Sequence, residues 1–155
     1  GDTYFVEVGR VHAIGAGVMV AEIQQTSDIT YRVYDWDRVD ADGNERELHN
    51  DLALDAFDFD LEDNFRVSYD KTENQSNEMV SCPYFTTNYL KVNKTLKKDN
   101  YHGSFIIYMC IEGEAKILTD GFSESIKKGE TILLPAIIEN YEISSKNATL
   151  LEVYV

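Results

Sequence analysis

Cysteine is scarce in this 155-residue chain: only Cys82 and Cys110 are present, without C-x-x-C spacing. Neither a disulfide framework nor a thiolate zinc site is indicated, and both thiols are expected to be reduced, buried small hydrophobes. Long apolar runs are missing as well. Nothing approaches the roughly 18 to 20 apolar residues that a membrane-spanning helix needs, and the first residues carry neither the basic nor the apolar part of a secretion signal. The expectation is a cytoplasmic protein with no membrane partner, so the three N-x-[ST] sequons beginning at Asn74, Asn93 and Asn147 carry no weight. Positive charge is the third deficit, with 14 Lys and Arg against 28 Asp and Glu and a net charge of −14. Residues 1–80 hold 19 of those acids against 6 bases, a balance that opposes nucleic-acid binding. The acids between Asp35 and Asp63 read as a solvated surface, and a phosphorylated ligand would need its own local cations.

What is present argues for a folded, mainly β chain. Hydrophobic residues make up 43% and aromatics 12%, enough for one good core or two small ones. Thr3–Val8, Val18–Ile23 and Ile29–Tyr34 are β-branched or aromatic and punctuated by Gly9, Gly15 and Gly17, so they read as short strands. After the turn cluster Asp40-Ala41-Asp42-Gly43-Asn44, the spacing of Leu48, Leu52, Ala56 and Phe59 predicts one amphipathic helix over 47–59. Asn74–Asn77 is polar and turn-like, a junction between units. Beyond it, strands are expected at Tyr84–Val92, Ser104–Ile111, Glu114–Leu118, Ser123–Ile126, Thr131–Leu134 and Leu150–Val155, the pattern of a jelly-roll barrel.

A degenerate internal repeat sharpens that class. Glu112-Gly113-Glu114-Ala115-Lys116-Ile117, then Asp120-Gly121, Ile126-Lys127-Lys128-Gly129-Glu130 and Thr131-Ile132-Leu133-Leu134-Pro135-Ala136, resembles the cupin family of double-stranded β-helix barrels. The second cupin motif, G-x5-P-x-G-x2-H-x3-N, is also matched in spacing by Gly1, Glu7 in place of proline, Gly9 and His12, with Ala16 at the final position. Glycines turn the strands there, and one histidine projects inward as a metal ligand. In the later copy Gly129 and Pro135 keep their places, but Asn140 replaces the histidine. Its other ligand positions are Asn100, His102 and Ile106. One imidazole is a poor metal site, so His102 reads as structural or surface and the later barrel as a metal-free companion.

A more specific resemblance follows from Gly9-Arg10-Val11-His12-Ala13-Ile14-Gly15-Ala16-Gly17 and from Ala21-Glu22-Ile23-Gln24-Gln25-Thr26-Ser27-Asp28-Ile29-Thr30-Tyr31-Arg32-Val33-Tyr34-Asp35-Trp36-Asp37-Arg38. These runs resemble the type I mannose-6-phosphate isomerases, as do the helix opening Arg46-Glu47-Leu48-His49 and the weakened cupin after it. The resemblance implies a cytoplasmic zinc enzyme that interconverts mannose 6-phosphate and fructose 6-phosphate through a cis-enediol, with a sugar phosphate as its partner. It implies His12 as a zinc ligand, Arg32 as the catalytic arginine beside the enediolate oxygens, and Glu22 as an acidic site residue. Gln24, Thr26 and Asp28 share a face if their strand is regular, and Arg10 reads as a surface arginine.

The expected organisation is therefore 1–38 as the closing strands of a catalytic cupin barrel, 39–80 as an acidic connector with the helix, and 81–155 as the metal-free barrel. The other zinc ligands are expected upstream of Gly1, leaving the chain alone inactive. Its open strand edges are expected to pair with a second copy or with its own second barrel. A non-enzymatic sugar-sensing or structural cupin is the alternative reading.

Overall fold

The computed structural model describes residues 1–27, 29–60 and 64–155. They divide into two compact units, Tyr4–Phe65 on the one hand and Gly1–Thr3 with Arg66–Val155 on the other. Among the described residues no helix is long and apolar enough to cross a membrane.

The larger unit is a seven-stranded sheet in which every pairing is antiparallel. Its strands are β1 (Ser76–Ser81), β2 (Thr86–Val92), β3 (Leu96–Asp99), β4 (Ile106–Leu118), β5 (Ser123–Lys127), β6 (Thr131–Leu134) and β7 (Asn140–Tyr154). The path runs β1-β2-β7-β4-β5, while β3 joins β7 and β6 joins β4. The two long strands carry the curvature. β4 pairs with β6 over Ile106–Met109 and with β5 over Glu114–Leu118, and β7 pairs with β3 over its first residues and with β2 over Ala148–Tyr154. This is the jelly-roll arrangement that the strand spacing predicts.

Side-chain parity explains how such long strands keep one face in the core. On β4 the core cluster takes Ile106, Tyr108 and Cys110, and then Ala115 and Ile117; on β7 it takes Tyr141 and Ile143, and then Ala148 and Leu150. Both sets switch from one parity to the other at the same level, where the β4–β7 register shifts between Cys110 and Glu112 and again between Glu114 and Lys116. A bulge inserts an unpaired residue and thereby exchanges the two faces. Gly113, opposite Ala148, holds φ at +73° within this bulge. The inward set, with Leu90, Val92, Ile126 and Leu134, forms one continuous core. Burying each large aliphatic side chain contributes about 1.5–3 kcal/mol.

Several expectations change here. The strands expected at Ser104–Ile111 and Glu114–Leu118 are one bulged strand, and the last strand begins at Asn140 rather than Leu150. β1 and β3 were not expected, because SNEMVS and LKKD lack apolar alternation; their pairing with β2 and β7 makes them strands. Asn74 does turn, with φ of 62°, but Asn77 of the expected junction lies buried in β1 and donates to the carbonyls of Thr72, Gln75 and Tyr89. The compact units divide at Phe65/Arg66, and the sheet takes in Ser76–Val80, which the sequence division assigns to the 39–80 connector. Cys110 is buried as expected, whereas Cys82 is half-buried.

The smaller unit differs most. None of the strands expected at Thr3–Val8, Val18–Ile23 and Ile29–Tyr34 forms among the described residues. Strand backbone groups need a neighbouring strand to bond to, and among the described residues of Tyr4–Phe65 the strand-type pairing is the isolated bridge of Val39 with Glu45. Apolar side chains that alternation would send inward stay exposed, Val8 at 98% and Met19 at 79%. The helix is present but short, α1 (Asn50–Ala56) rather than 47–59. Seven residues are marginal as an isolated helix, and this one is tied down at each end. The His49 amide donates to the Arg32 carbonyl at 2.7 Å, and the Asp58 amide donates to the Gly9 carbonyl at 2.9 Å. Its buried residue is Ala53, while the expected stripe positions Leu48, Leu52 and Phe59 are exposed.

Candidate functional site

The residues singled out in the smaller unit stand on loops rather than strands. His12 is exposed, and its Nδ1 lies 2.9 Å from the Arg10 carbonyl oxygen. A carbonyl only accepts, so Nδ1 carries the hydrogen and Nε2 presents its lone pair outward. Glu22 is exposed, and Asp28 lies outside the described residues. Arg32 is half-buried and locked to His49 by reciprocal bonds: its backbone N–H donates to His49 Nδ1 at 3.1 Å, and the His49 N–H returns to its carbonyl. The guanidinium donates once, to the Glu47 carbonyl at 3.2 Å, leaving four of its five N–H groups for other acceptors. Among the described residues no hydrogen bond or ion pair joins His12, Glu22 and Arg32, and no three His, Cys, Asp or Glu side chains form a metal-binding group.

Two arginines that seem incidental in the sequence hold this unit's loops. Arg10 is not a surface arginine: its side chain is only 12% exposed, it bridges Glu7 at 3.3 Å and Asp58 at 3.4 Å, and it covers the Phe65 ring at 4.2 Å. Arg46 grips the buried Asp35 with two bonds of 2.6 Å, and Arg38 adds a third. The bonds from Arg46, then those from Arg38, outweigh the effect of burial and hold the Asp35 carboxyl well below the usual carboxylate range. Neither partnership is visible as a motif. The signal that could have found Asp35 is an acid within the aromatic run Tyr31–Trp36.

The larger unit contains a second concentration of polar groups inside its sheet. Glu152, 3% exposed, sits on β7 at the inward parity of Ala148 and Leu150. Oε1 accepts from Lys98 Nζ at 2.7 Å and from the Tyr108 hydroxyl at 2.5 Å; Oε2 accepts from Ser76 Oγ at 2.5 Å and from Asn88 Nδ2 at 3.0 Å. Lys98 also donates to Ser76 at 2.7 Å, and the Tyr141 and Tyr108 hydroxyls lie 2.6 Å apart. Burial raises the Glu152 pKa, but the charge of Lys98 and the bonds from Lys98, Ser76 and Tyr108 more than offset it, and the net shift is downward. Burial pushes both tyrosines well above their ordinary values. Above the cluster opens a cavity of about 230 Å³, walled by His102 stacked on Tyr154 at 3.7 Å. The sequence reading missed this cluster, whose one visible trace is a lone acid in the apolar run Leu150–Val155.

These shifts set a pH dependence. Asp35 and Glu152 have folded pKa values below their unfolded ones, so their contributions are present above about pH 4 and are lost as pH falls through the lower folded values. Tyr108 and Tyr141 have raised values, so their contribution is present below about pH 10 and is lost as pH rises further. Urea midpoints followed by Trp36 fluorescence for the smaller unit and far-ultraviolet circular dichroism for the larger are expected to form a plateau between these limits. A midpoint independent of pH from 7 down to about 3 would contradict the assignment.

Residues 75–155 match the family model described as the cupin domain of mannose-6-phosphate isomerase. The mannose-6-phosphate isomerase ManA of Bacillus subtilis is 34% identical over 139 residues, which is 87% of this chain and 43% of that protein. The mannose-6-phosphate isomerase of Streptococcus mutans is 30% identical over 143 residues, 92% of this chain and 45% of its own length. The crystal structure of a Bacillus subtilis mannose 6-phosphate isomerase superposes on 83% of this chain and 41% of that one, with a TM-score of 0.70 at 29% identity. The chain thus spans less than half the length of these relatives.

Proposed function

This chain belongs to the mannose-6-phosphate isomerase family, and we propose that it forms part of an aldose–ketose isomerase acting on mannose 6-phosphate and fructose 6-phosphate. The observation that carries this reading is the match of residues 75–155 to the family's cupin domain, together with 34% identity to an isomerase over 87% of the chain. The reaction moves a proton between two adjacent carbons through a cis-enediol, so negative charge develops on the flanking oxygens. Arg32 suits that charge: the His49 lock fixes its backbone, and its guanidinium keeps donors unused. Glu22, exposed and ten positions after His12, is proposed to carry the proton.

Zinc, which the resemblance implies, is not accommodated as a complete site, because the described residues supply no converging set of three donors. No step is routed through it. His12 does fit the role of one donor, since the Arg10 carbonyl fixes the tautomer that frees Nε2.

Joining this chain to the portion of the Bacillus subtilis relative that it does not cover tests the reading. The joined protein is expected to interconvert the two sugar phosphates, the chain alone to show no turnover, and Arg32→Ala in the joined protein to lower kcat about 10²-fold with KM little changed. A folded joined protein without activity would sink the reading, and an unchanged kcat in the Arg32 variant would remove Arg32 from it.

A further inference from the structure

The cavity above Glu152 takes no part in the isomerase chemistry proposed for His12, Glu22 and Arg32. Its 230 Å³ would hold about seven waters at ~30 Å³ each, or one molecule with the bulk of a single sugar ring. Lys98, Tyr141 and Glu152 lie at its floor, and Tyr101, 83% exposed and 4.5 Å from the His102 ring, adds a third ring face.

Hydrogen positions on the floor decide what can bind. Glu152, ionised, only accepts, and its two oxygens already take four bonds, the full capacity of a carboxylate. Tyr108 therefore donates to Glu152, and Tyr141 must donate to Tyr108. That leaves the Tyr141 oxygen as an acceptor. Lys98 uses two of its three N–H donors on Glu152 and Ser76, which leaves one. An alcohol hydroxyl both accepts and donates, so it satisfies the two groups together. A carboxylate only accepts, and both it and a phosphate would set negative charge against the Tyr141 lone pairs beside an already ionised Glu152. A metal cation would meet the Lys98 charge and a carboxylate with no lone pair to spare. The charged lining is also balanced, Lys97 and Lys98 against Asp99 and Glu152, so it attracts neither sign. The exposed ring of Tyr101 in the lining suits the C–H face of a sugar ring.

We infer that this cavity is a binding site for a small neutral polyhydroxylated molecule, a sugar or polyol. The test is a titration of the chain followed by ¹⁵N–¹H correlation spectra, with mannose and myo-inositol as neutral probes and sodium phosphate and sodium acetate as anionic ones. Saturable shifts are expected at the amides of Lys98, Tyr101, His102 and Glu152 with the neutral probes, at about millimolar affinity. Tyr101→Ala is expected to weaken binding about fivefold. Tyr141→Phe, which removes the acceptor, is expected to abolish saturation in a protein whose spectrum stays dispersed. The inference fails if neither polyol shifts these amides at about 100 mM, if the anions shift them equally, or if both variants bind as the parent does.

Discussion

Glu152→Ala is expected to destabilise the larger unit by about 3–5 kcal/mol, the cost of removing one partner from a buried ion pair. The carboxylate accepts from four donors at once, and alanine removes that acceptor from the Lys98 ammonium, which keeps Ser76, from the fully buried Tyr108 hydroxyl, which keeps Tyr141, and from Asn88 and Ser76. Each neutral orphan adds about 1–3 kcal/mol where no water can enter; the cavity beside Lys98 admits water and keeps the total from being their sum. The sharper test is a cycle. Lys98→Met with Glu152→Leu removes both charges and puts apolar bulk in their place, so the double variant is expected to lose less stability than Glu152→Ala alone. Urea denaturation followed by circular dichroism reads both. A Glu152→Ala protein within about 1 kcal/mol of the parent would mean that the four bonds are exchangeable with solvent.

How far the sequence carried follows from what each feature depends on. Thr131–Leu134 coincides with the observed β6, and Thr86–Val92 lies within the expected Tyr84–Val92, because β-branched, aromatic and aliphatic residues are concentrated there and Leu90, Val92 and Leu134 reach the core. β1 and β3 have no such alternation and become strands only through partners distant in sequence, as Ser76 does opposite Leu90. The Glu152 cluster is less legible still: Ser76 and Glu152 are 76 residues apart, and Tyr108 is 44 from Glu152. The opposite failure occurs in the smaller unit. Its N-terminal segments are β-branched or aromatic, but a strand needs neighbours, and these have no strand neighbour among the described residues of their unit. His12 and Arg32 were singled out through spacing and family resemblance, whereas His49, which pins Arg32, stood in the quoted opening of the helix with no role assigned to it.

The four ligand positions of the later cupin copy show how a barrel interior can be reassigned. Asn100 is buried and donates to the Ser104 carbonyl at 2.9 Å, shaping the loop that carries His102. His102 stacks on Tyr154, Ile106 joins the core, and Asn140 is exposed at the start of β7. Of the four, His102 and Ile106 serve packing. The inward-facing charges are Lys98 and Glu152, which neutralise one another, and that pairing turns the floor towards hydroxyl groups rather than ions.

The second large effect is expected at Gly113, where Gly113→Ala should cost the larger unit about 3 kcal/mol or more. Two terms add. Alanine at φ of +73° carries the left-handed penalty of about 1–2 kcal/mol. Its Cβ would also clash with the Asn147 carbonyl oxygen and stand 3.2 Å from Ala148 Cα, both backbone atoms of β7. No side chain can swing aside to relieve that contact; β4 and β7 must separate where both change parity, and overpacking of this kind costs about 1–3 kcal/mol. Gly129→Ala separates the terms, because Gly129 also has a positive φ, +88°, but nothing lies within 4 Å of its added Cβ. It should show the conformational penalty alone. If the two variants unfold at the same urea concentration, the close approach of Gly113 to β7 contributes nothing, and the parity switch does not depend on it. If Gly113→Ala alone loses the circular dichroism of the sheet, the bulge is the joint that lets two long strands keep one face on the core along their length.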